Sequence, residues 1–187
     1  MNVEVRSALI RVLPFAVILF ILFAQIRRKK FTPQDLYINS PNSLNLFFAW
    51  SVGFLIFILL TEFAFYKLGI LEIDKWNHPW YSSIISILGA VILAPVAEEL
   101  IFRGLILNEL VKRKLNIHFA IFIQASLFVL LHNFTYQNTV SSNIGIVQSL
   151  VDACLFGYAK YSTKSIYTPV AMHVTGNVIA TLERFIF

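Results

Sequence analysis

Three ionisable residues lie within six positions of one strongly apolar run. The string APVAEELIFRG at 94–104 contains Glu98, Glu99 and Arg103. Glu99 precedes Arg103 by four residues, the spacing and order that favour an ion pair on a helix. Glu98 is rotated by about 100° from Glu99 by the helical period, so it points to another sector and lacks that partner. We therefore expect Glu99 and Arg103 to pair and Glu98 to be available for chemistry.

Two later apolar runs carry side chains with chemical potential at a spacing of four residues. They are Phe128 with His132, and His173 with Asn177. On a helix both members of each pair share a face, so Phe128 can pack against His132 while His173 and Asn177 present donors towards one point. Histidine carries protons near neutral pH, and a carboxylate in a dry site can act as a general base. One carboxylate, two imidazoles and one amide form a set suited to hydrolysis.

Composition indicates that these residues are carried by membrane helices. Of the 187 residues 58% are apolar and 13% are charged, against about 45–50% and about 25% in soluble domains. This excludes a cytosolic enzyme and a disordered tail, and the single Cys154 excludes an internal disulfide and a CxxC motif. Because a spanning helix needs about 20 apolar residues, we predict an all-α polytopic membrane bundle of about six helices with the active site inside it. The runs lie at 8–26, 44–66, 81–107, 117–136, 145–159 and 166–187.

Basic residues fall in alternate connections of this six-helix pattern. They concentrate at 27–30, at 112–114 and at Lys160 with Lys164. The positive-inside rule places these loops in the cytoplasm and both termini outside. The net charge of +5 is therefore read as a topology signal, and no nucleic-acid partner is expected. Pro33 and Pro41 bracket a polar linker, which suggests an N-terminal transmembrane pair at 1–80 and a catalytic core at 81–187.

The predicted spans place His132 at a different depth in the membrane from Glu98 and His173. Glu98 and His173 lie fewer than ten residues from the cytoplasmic ends of their runs, whereas His132 lies 15 residues beyond Ile117. At 1.5 Å per residue the axial mismatch is about 10 Å. It closes if the segment from Asn108 to about Phe119 lies along the membrane interface and the fourth span begins later.

The three motifs together resemble a known family. The CAAX-protease and bacteriocin-processing family of intramembrane proteases, also called CPBP or Abi, includes the Rce1-type prenyl-protein endopeptidases. Its pattern is EExxxR, FxxxH and HxxxN on successive transmembrane helices, and this chain has all three in order without a departure at the defining positions. The resemblance covers about 81–182, and the N-terminal 80 residues contribute nothing to it.

The resemblance implies a role for each motif residue. Glu98 with His132 would activate the attacking water, and His173 with Asn177 would stabilise the oxyanion of the tetrahedral intermediate. Glu99, Arg103 and Phe128 would support the site structurally. Members of the family are often described as metalloproteases, yet the glutamate-dependent mechanism needs no metal, so no obligatory cofactor is expected.

Several alternatives remain open at the level of the sequence. Glu98, His132 and His173 could instead ligate zinc with a water in the fourth position, although no HExxH helix occurs. The polar cluster could equally serve a non-proteolytic immunity protein or scaffold, or a proton-coupled transporter. Other polar residues are assigned lesser roles: Cys154 as a buried small residue, Asp152 and Gln148 as mutual partners or histidine-orienting groups, and Glu62, His78 and His118 as interfacial residues.

The substrate class follows only by analogy with the family. It would be a short membrane-associated peptide of bacteriocin, leader or pheromone type, or a CAAX-type C-terminal segment. We expect a multi-pass protein, in contact with membrane lipid, in a bacterial cell membrane. The sequence does not determine the oligomeric state.

Overall fold

The computed structural model describes residues 2–70, 73, 75–132 and 136–186, and within these ranges it contains helices and no strand. A short 3-10 turn, Pro33–Leu36, lies in the linker between the first two helices. The six long helices are α1 (Val3–Arg27), α2 (Leu44–Lys67), α3 (Trp80–Lys112), α4 (Ile117–Leu130), α5 (Val140–Thr163) and α6 (Tyr167–Ile186).

The predicted all-α membrane bundle is confirmed, with a correction to the spans. Within the described ranges, α1, α2, α3 and α5 are long and apolar enough to cross a membrane. The fourth predicted span, 117–136, is wrong in extent because α4 ends at Leu130 after 14 residues, about 21 Å at the helical rise. Helix α6 has 20 residues, but its polar side chains interrupt the apolar run. Residues 133–135 of the fourth predicted span and Phe187 of the sixth lie outside the described residues.

The three basic connections meet at one end of the bundle. The linker after α1 contacts α3, where Asn108 Nδ2 donates to the Asp35 carbonyl at 3.0 Å. It also contacts the connection between α5 and α6, where the Ile166 N–H donates to the Tyr37 carbonyl at 2.9 Å. At the opposite end the Trp76 N–H donates to the Arg184 carbonyl at 2.8 Å. This grouping agrees with the charge pattern, and the side of the membrane on which each end lies stays a prediction.

Local hydrogen bonds shape the linker that joins these basic connections. The Thr32 N–H and hydroxyl both donate to Asp35 Oδ2, at 2.8 and 2.7 Å, and close a capping box at the 3-10 turn. These bonds hold the pKa of Asp35 below its usual value, and the bond from the Thr32 N–H contributes more than the bond from its hydroxyl. The turn buries Leu36 completely, against the backbone of Gly104 on α3. The linker is therefore a packed layer of the bundle.

Helix α3 contains two wide π-helical stretches on either side of the glutamates. The first covers Gly89–Leu93, and the Ala94 N–H donates back five residues to the Gly89 carbonyl. The second covers Leu100–Ile106. Pro95, whose nitrogen cannot donate a hydrogen bond, lies two residues after the end of the first stretch. The helix widens just before this proline and continues past it without a break. Such π turns occur frequently at functional sites.

The mismatch in depth closes, but not through the condition expected from the sequence. The segment from Asn108 to about Phe119 does not lie apart from the bundle helices, because Asn108 to Lys112 continues α3 and α4 begins at Ile117. Glu98 therefore lies 14 residues from the end of α3, close to the 15 that separate Ile117 from His132. Helix α6 begins deeper, on the linker layer, so His173 needs fewer residues to reach the same level.

The first two helices pack against the part of the chain that carries the motifs. On α2, Phe54 and Ile58 form a buried cluster with Phe156 of α5 and Met172 of α6. The Phe54 and Phe156 rings meet edge to face, with centroids 5.1 Å apart. Helix α2 thus forms part of the wall of the interior, while the domain division at residue 80 stays a prediction.

The grouping of the basic connections predicts a labelling pattern. In a Cys154→Ala background, single cysteines at the exposed positions Lys30 and Lys112 should react with a membrane-impermeant maleimide from one face only. A cysteine at exposed Gln137 should react from the other face. Labelling of all three from the same side of sealed vesicles would contradict this topology.

Candidate active site

A completely buried ion pair lies at the centre of the bundle. Arg103 Nη1 donates to Glu99 Oε1 at 2.8 Å, and both side chains are 0% exposed. Arg103 Nη2 also donates to the Ala153 carbonyl of α5 at 3.0 Å. The guanidinium lies against the rings of Phe128 and Phe156, 4.9 and 5.2 Å from their centroids, in cation–π contact. The contact expected from the spacing of Glu99 and Arg103 is therefore present.

His173 of α6 lies between the two glutamates of α3. Its Nδ1 is 2.8 Å from Glu99 Oε1, and its Nε2 is 3.6 Å from Glu98 Oε2. The imidazole stacks on the Phe156 ring with centroids 5.2 Å apart. Because an ionised carboxylate only accepts, Nδ1 donates to Glu99, and this bond orients Nε2 towards Glu98.

The two adjacent glutamates have different surroundings, as their rotation on the helix predicts. Glu99 is fully buried and bound to Arg103, whereas the side chain of Glu98 retains 17% of its exposure. The polar contact that the structure gives Glu98 is with Nε2 of His173. Glu98 is thus a carboxylate inside the membrane that faces an imidazole instead of a guanidinium.

His132 lies just beyond the end of α4 and packs against Phe128. The two ring centroids are 4.6 Å apart, and His132 Nδ1 is 2.8 Å from the Phe128 carbonyl. A carbonyl can only accept, so Nδ1 carries a proton and Nε2 is the basic nitrogen of the neutral ring. Phe128 also meets His173 edge to face at 5.9 Å, and it therefore separates and orients the two imidazoles.

Asn177 occupies the same face of α6 as His173, one turn further along. Its Nδ2 donates to the Ala90 carbonyl at 2.8 Å, within the first π stretch of α3. One amide hydrogen is therefore engaged with backbone, and the amide group contributes to the wall of a cavity shared with His173.

A cavity of about 310 Å³ brings these side chains together between α2, α4, α5 and α6. Its lining includes four residues of the sequence motifs: Phe128, His132, His173 and Asn177. Glu98 adjoins it through His173. The structure therefore unites the FxxxH and HxxxN motifs at one space, and it connects EExxxR to that space through hydrogen bonds.

The cavity also contains polar residues that the sequence did not place there. Glu62 of α2, expected at the interface, lines it and accepts a 2.7 Å hydrogen bond from Gln148 Nε2 of α5. Gln148 therefore does not pair with Asp152, which lines the same cavity and whose buried Oδ1 has no hydrogen-bond partner among the described residues. The i, i+4, i+8 spacing of Gln148, Asp152 and Phe156, which puts them on one face of α5, was the signal available in the sequence.

The remaining polar residues lie outside this cavity. His78 is 3.4 Å from Glu4 near the N-terminal end of the bundle, and His118 contacts the Tyr158 hydroxyl at 2.7 Å. Cys154 packs beside two apolar clusters between α4 and α5. None of the three lines the cavity described above.

The geometry of the described residues does not assemble a zinc ligand set. Glu98, His132 and His173 were the candidate ligands, but across the described ranges no three His, Cys, Asp or Glu side chains are grouped to hold a metal ion. Both nitrogens of His173 are directed at carboxylates instead. Independence from a metal stays a prediction.

Taken with the membrane helices, the site is that of an integral membrane protein with carboxylate, imidazole and amide groups inside its bundle. The family model described as type II CAAX prenyl endopeptidase Rce1-like matches residues 79–179, or 101 of the 187 residues. The chain belongs to this Rce1-like family of CAAX-type endopeptidases. No curated protein and no solved structure matches it.

The buried ion pair predicts a large loss of stability when its cation is removed. Arg103→Met leaves Glu99 without its charge partner, so the free energy of unfolding should fall by about 3–5 kcal/mol. Chemical unfolding of the purified protein in micelles measures this loss. The matched control is Arg113→Met, which breaks the exposed Arg113–Glu109 pair at the same spacing and should cost less than about 1 kcal/mol. Equal losses for the two variants would contradict the assignment.

Proposed function

We propose that the chain is a glutamate-dependent intramembrane endopeptidase that cleaves a short membrane-associated peptide or a C-terminal protein segment. The observation that carries the proposal is the position of Glu98, a carboxylate that faces His173 at the edge of a cavity shared with His132 and Asn177. Family membership supports peptide-bond hydrolysis. The residues and the substrate class are our assignment.

Glu98 and His132 would together activate the attacking water. The Glu98 carboxylate takes one proton as the water oxygen attacks the carbonyl carbon of the scissile bond, and basic Nε2 of His132 orients the water or accepts its proton. The proton then passes to the amide nitrogen as the C–N bond breaks. The products are a carboxylic acid and an amine, so the atoms and charges balance without a cofactor.

His173 and Asn177 would stabilise the oxyanion of the tetrahedral intermediate. A His173 ring protonated on both nitrogens donates from Nε2, while Glu99 accepts from Nδ1 and keeps the ring in place. The Asn177 amide has two N–H groups, and the bond to Ala90 uses one of them. The second N–H group of the Asn177 amide would donate to the oxyanion. Arg103 acts through Glu99 as a positioning residue.

The bundle gives the reaction a protected and partly polar space. The cavity is lined by aromatic rings together with carboxylate, amide and imidazole groups, and such enclosed sites strengthen electrostatic interactions. A volume of about 310 Å³ admits a short peptide segment and not a folded domain. We therefore favour bacteriocin, leader or pheromone-type peptides, or CAAX-type C-terminal segments, in a bacterial cell membrane as the setting.

Loss of the Glu98 carboxylate tests the proposed function. Glu98→Gln keeps the size of the side chain but removes the base, so cleavage should fall by at least about 100-fold. Peptides in membranes that express the intact protein or the variant, at matched levels of folded protein, are compared by mass spectrometry. The control is Glu109→Gln, the same change at an exposed carboxylate.

The peptide profiles distinguish a protease from the alternative functions. A peptide that is cleaved by the intact protein and by Glu109→Gln, but not by Glu98→Gln, supports a protease and identifies its substrate. Identical profiles with persisting biological activity would refute the chemistry and favour the scaffold alternative. Stoichiometric zinc, lost together with activity on chelation, would favour the zinc-dependent alternative.

The oxyanion assignment makes a separate prediction for Asn177. Asn177→Ala should lower kcat by about 10²–10³ with little change in KM, because the lost donor acts on the transition state. The control Asn143→Ala removes an exposed amide of α5. If Asn177→Ala lowers the unfolding temperature but leaves kcat unchanged, the amide serves only to hold the Ala90 carbonyl.

A further inference from the structure

The active-site cavity extends well beyond the proposed catalytic groups. It follows one face of α5 from Phe156, on which His173 stacks, to Gln148 eight residues earlier. On the antiparallel helix α2 it runs from Phe54 to Glu62, also eight residues apart. Eight residues correspond to about 12 Å along a helix. The far end of the cavity is therefore about two helical turns from the level of His173.

An oriented carboxylate, that of Glu62, lies at that far end. Glu62 is half-buried, and its Oε1 accepts a 2.7 Å hydrogen bond from Gln148 Nε2. The bond spans two helices and 86 positions of sequence, so it fixes the carboxylate relative to the cavity and not only to its own helix. Acidic residues within membrane helices usually face the interior or a wet cavity and pair with a complementary group.

The cavity supplies no strong cation for this carboxylate. Among the described residues of its lining none is Lys or Arg. Arg103 is fully buried, is bound to Glu99 and is covered by aromatic rings. Between the two ends one side of the wall is apolar, formed by Phe54, Ile58 and Ile179, while Asp152 and Ser149 of α5 add polar groups. The space thus has a partly apolar passage that ends at the Glu62 carboxylate.

We propose that Glu62, oriented by Gln148, binds a cationic group of the peptide substrate and sets the specificity of cleavage. The inference rests on the proposed function, since it assumes that the peptide occupies this cavity. A lysine or arginine side chain fits the passage because its apolar stem can lie along Phe54 and Ile58 while its charged head reaches the carboxylate. An N-terminal ammonium has the same charge and could occupy the same point.

The distance fixes where the cation lies in the substrate. An extended chain advances about 3.3 Å per residue, so about 12 Å from His173 places the cation at most three or four residues from the scissile bond. The number is smaller when a long side chain makes up part of the distance. Asp152, a second carboxyl group of the cavity lining, lies between the two ends with an unpartnered buried oxygen. A free C-terminal carboxylate is disfavoured at this end of the cavity.

A binding measurement tests the site without turnover. The protein carries Glu98→Ala, and the probes are dye-labelled nine-residue peptides of alanine and leucine, acetylated and amidated, with lysine or norleucine at one position at a time. Norleucine is close in size to lysine but lacks the ammonium. We expect lysine to lower Kd at least tenfold at one position, and Glu98→Ala/Glu62→Gln to lose this preference. A norleucine probe with a free N-terminus distinguishes the N-terminal ammonium from the side chain.

Two further variants control the measurement. Glu98→Ala/Glu109→Gln, with the same change at an exposed carboxylate, should keep the tenfold preference. Glu98→Ala/Gln148→Met retains Glu62 but removes the group that orients it, so the preference should shrink, and this result is available even if the Glu62 variant does not fold. Equal Kd values for cationic and neutral probes at every position would overturn the proposal.

Cleavage of the same probes by the intact protein separates this proposal from the proposed function. Cleavage that depends on Glu98 but shows no preference for the cationic probe refutes the role of Glu62 and leaves the protease intact. A binding preference that depends on Glu62, in a protein that cleaves no probe, retains the cation site and counts against hydrolysis.

Discussion

The Arg103 guanidinium is held by Glu99 on its own helix, and from there it binds a carbonyl of α5 and packs against aromatic rings of α4 and α5. Glu99 in turn binds His173 of α6. Removing two charges from water is costly, so this pair is stable only while all of these contacts are made together. The relative positions of four helices therefore depend on one buried ion pair, and the orientation of His173 towards Glu98 depends on the same contacts.

Much of the site could be predicted because helical geometry fixes which neighbours meet. The pairing of Glu99 with Arg103 and the packing of His132 on Phe128 each follow from a spacing of four residues, and both contacts are present. The different surroundings of Glu98 and Glu99 follow from their rotation about the axis. The Rce1-like family, indicated by the three motifs, is confirmed. The apolar composition likewise led to the all-helical bundle.

Contacts between helices were harder to predict because they depend on lengths and registers that the sequence shows poorly. The bond between Glu62 and Gln148 joins residues that are 86 positions apart in the sequence. It depends on the register in which α2 packs against α5, and no short sequence pattern encodes that register. The extension of α3 to Lys112 was missed because polar and basic residues there resemble a loop. The wide turns on both sides of the glutamates, which let α3 continue past Pro95, have no simple sequence pattern either.

The shortness of α4 has a consequence for the surrounding lipid. Its 14 residues rise about 21 Å, about 9 Å less than the hydrocarbon core of a typical bilayer, and it exposes Phe119, Phe122 and Leu130 on its surface. Local thinning is one way in which a bilayer adapts to such hydrophobic mismatch. Thinning beside α4 draws headgroups and water inwards at the end of the helix, where His132 lies. A helix about one and a half turns shorter than the bilayer core can thus bring water to a buried polar cavity without a dedicated channel.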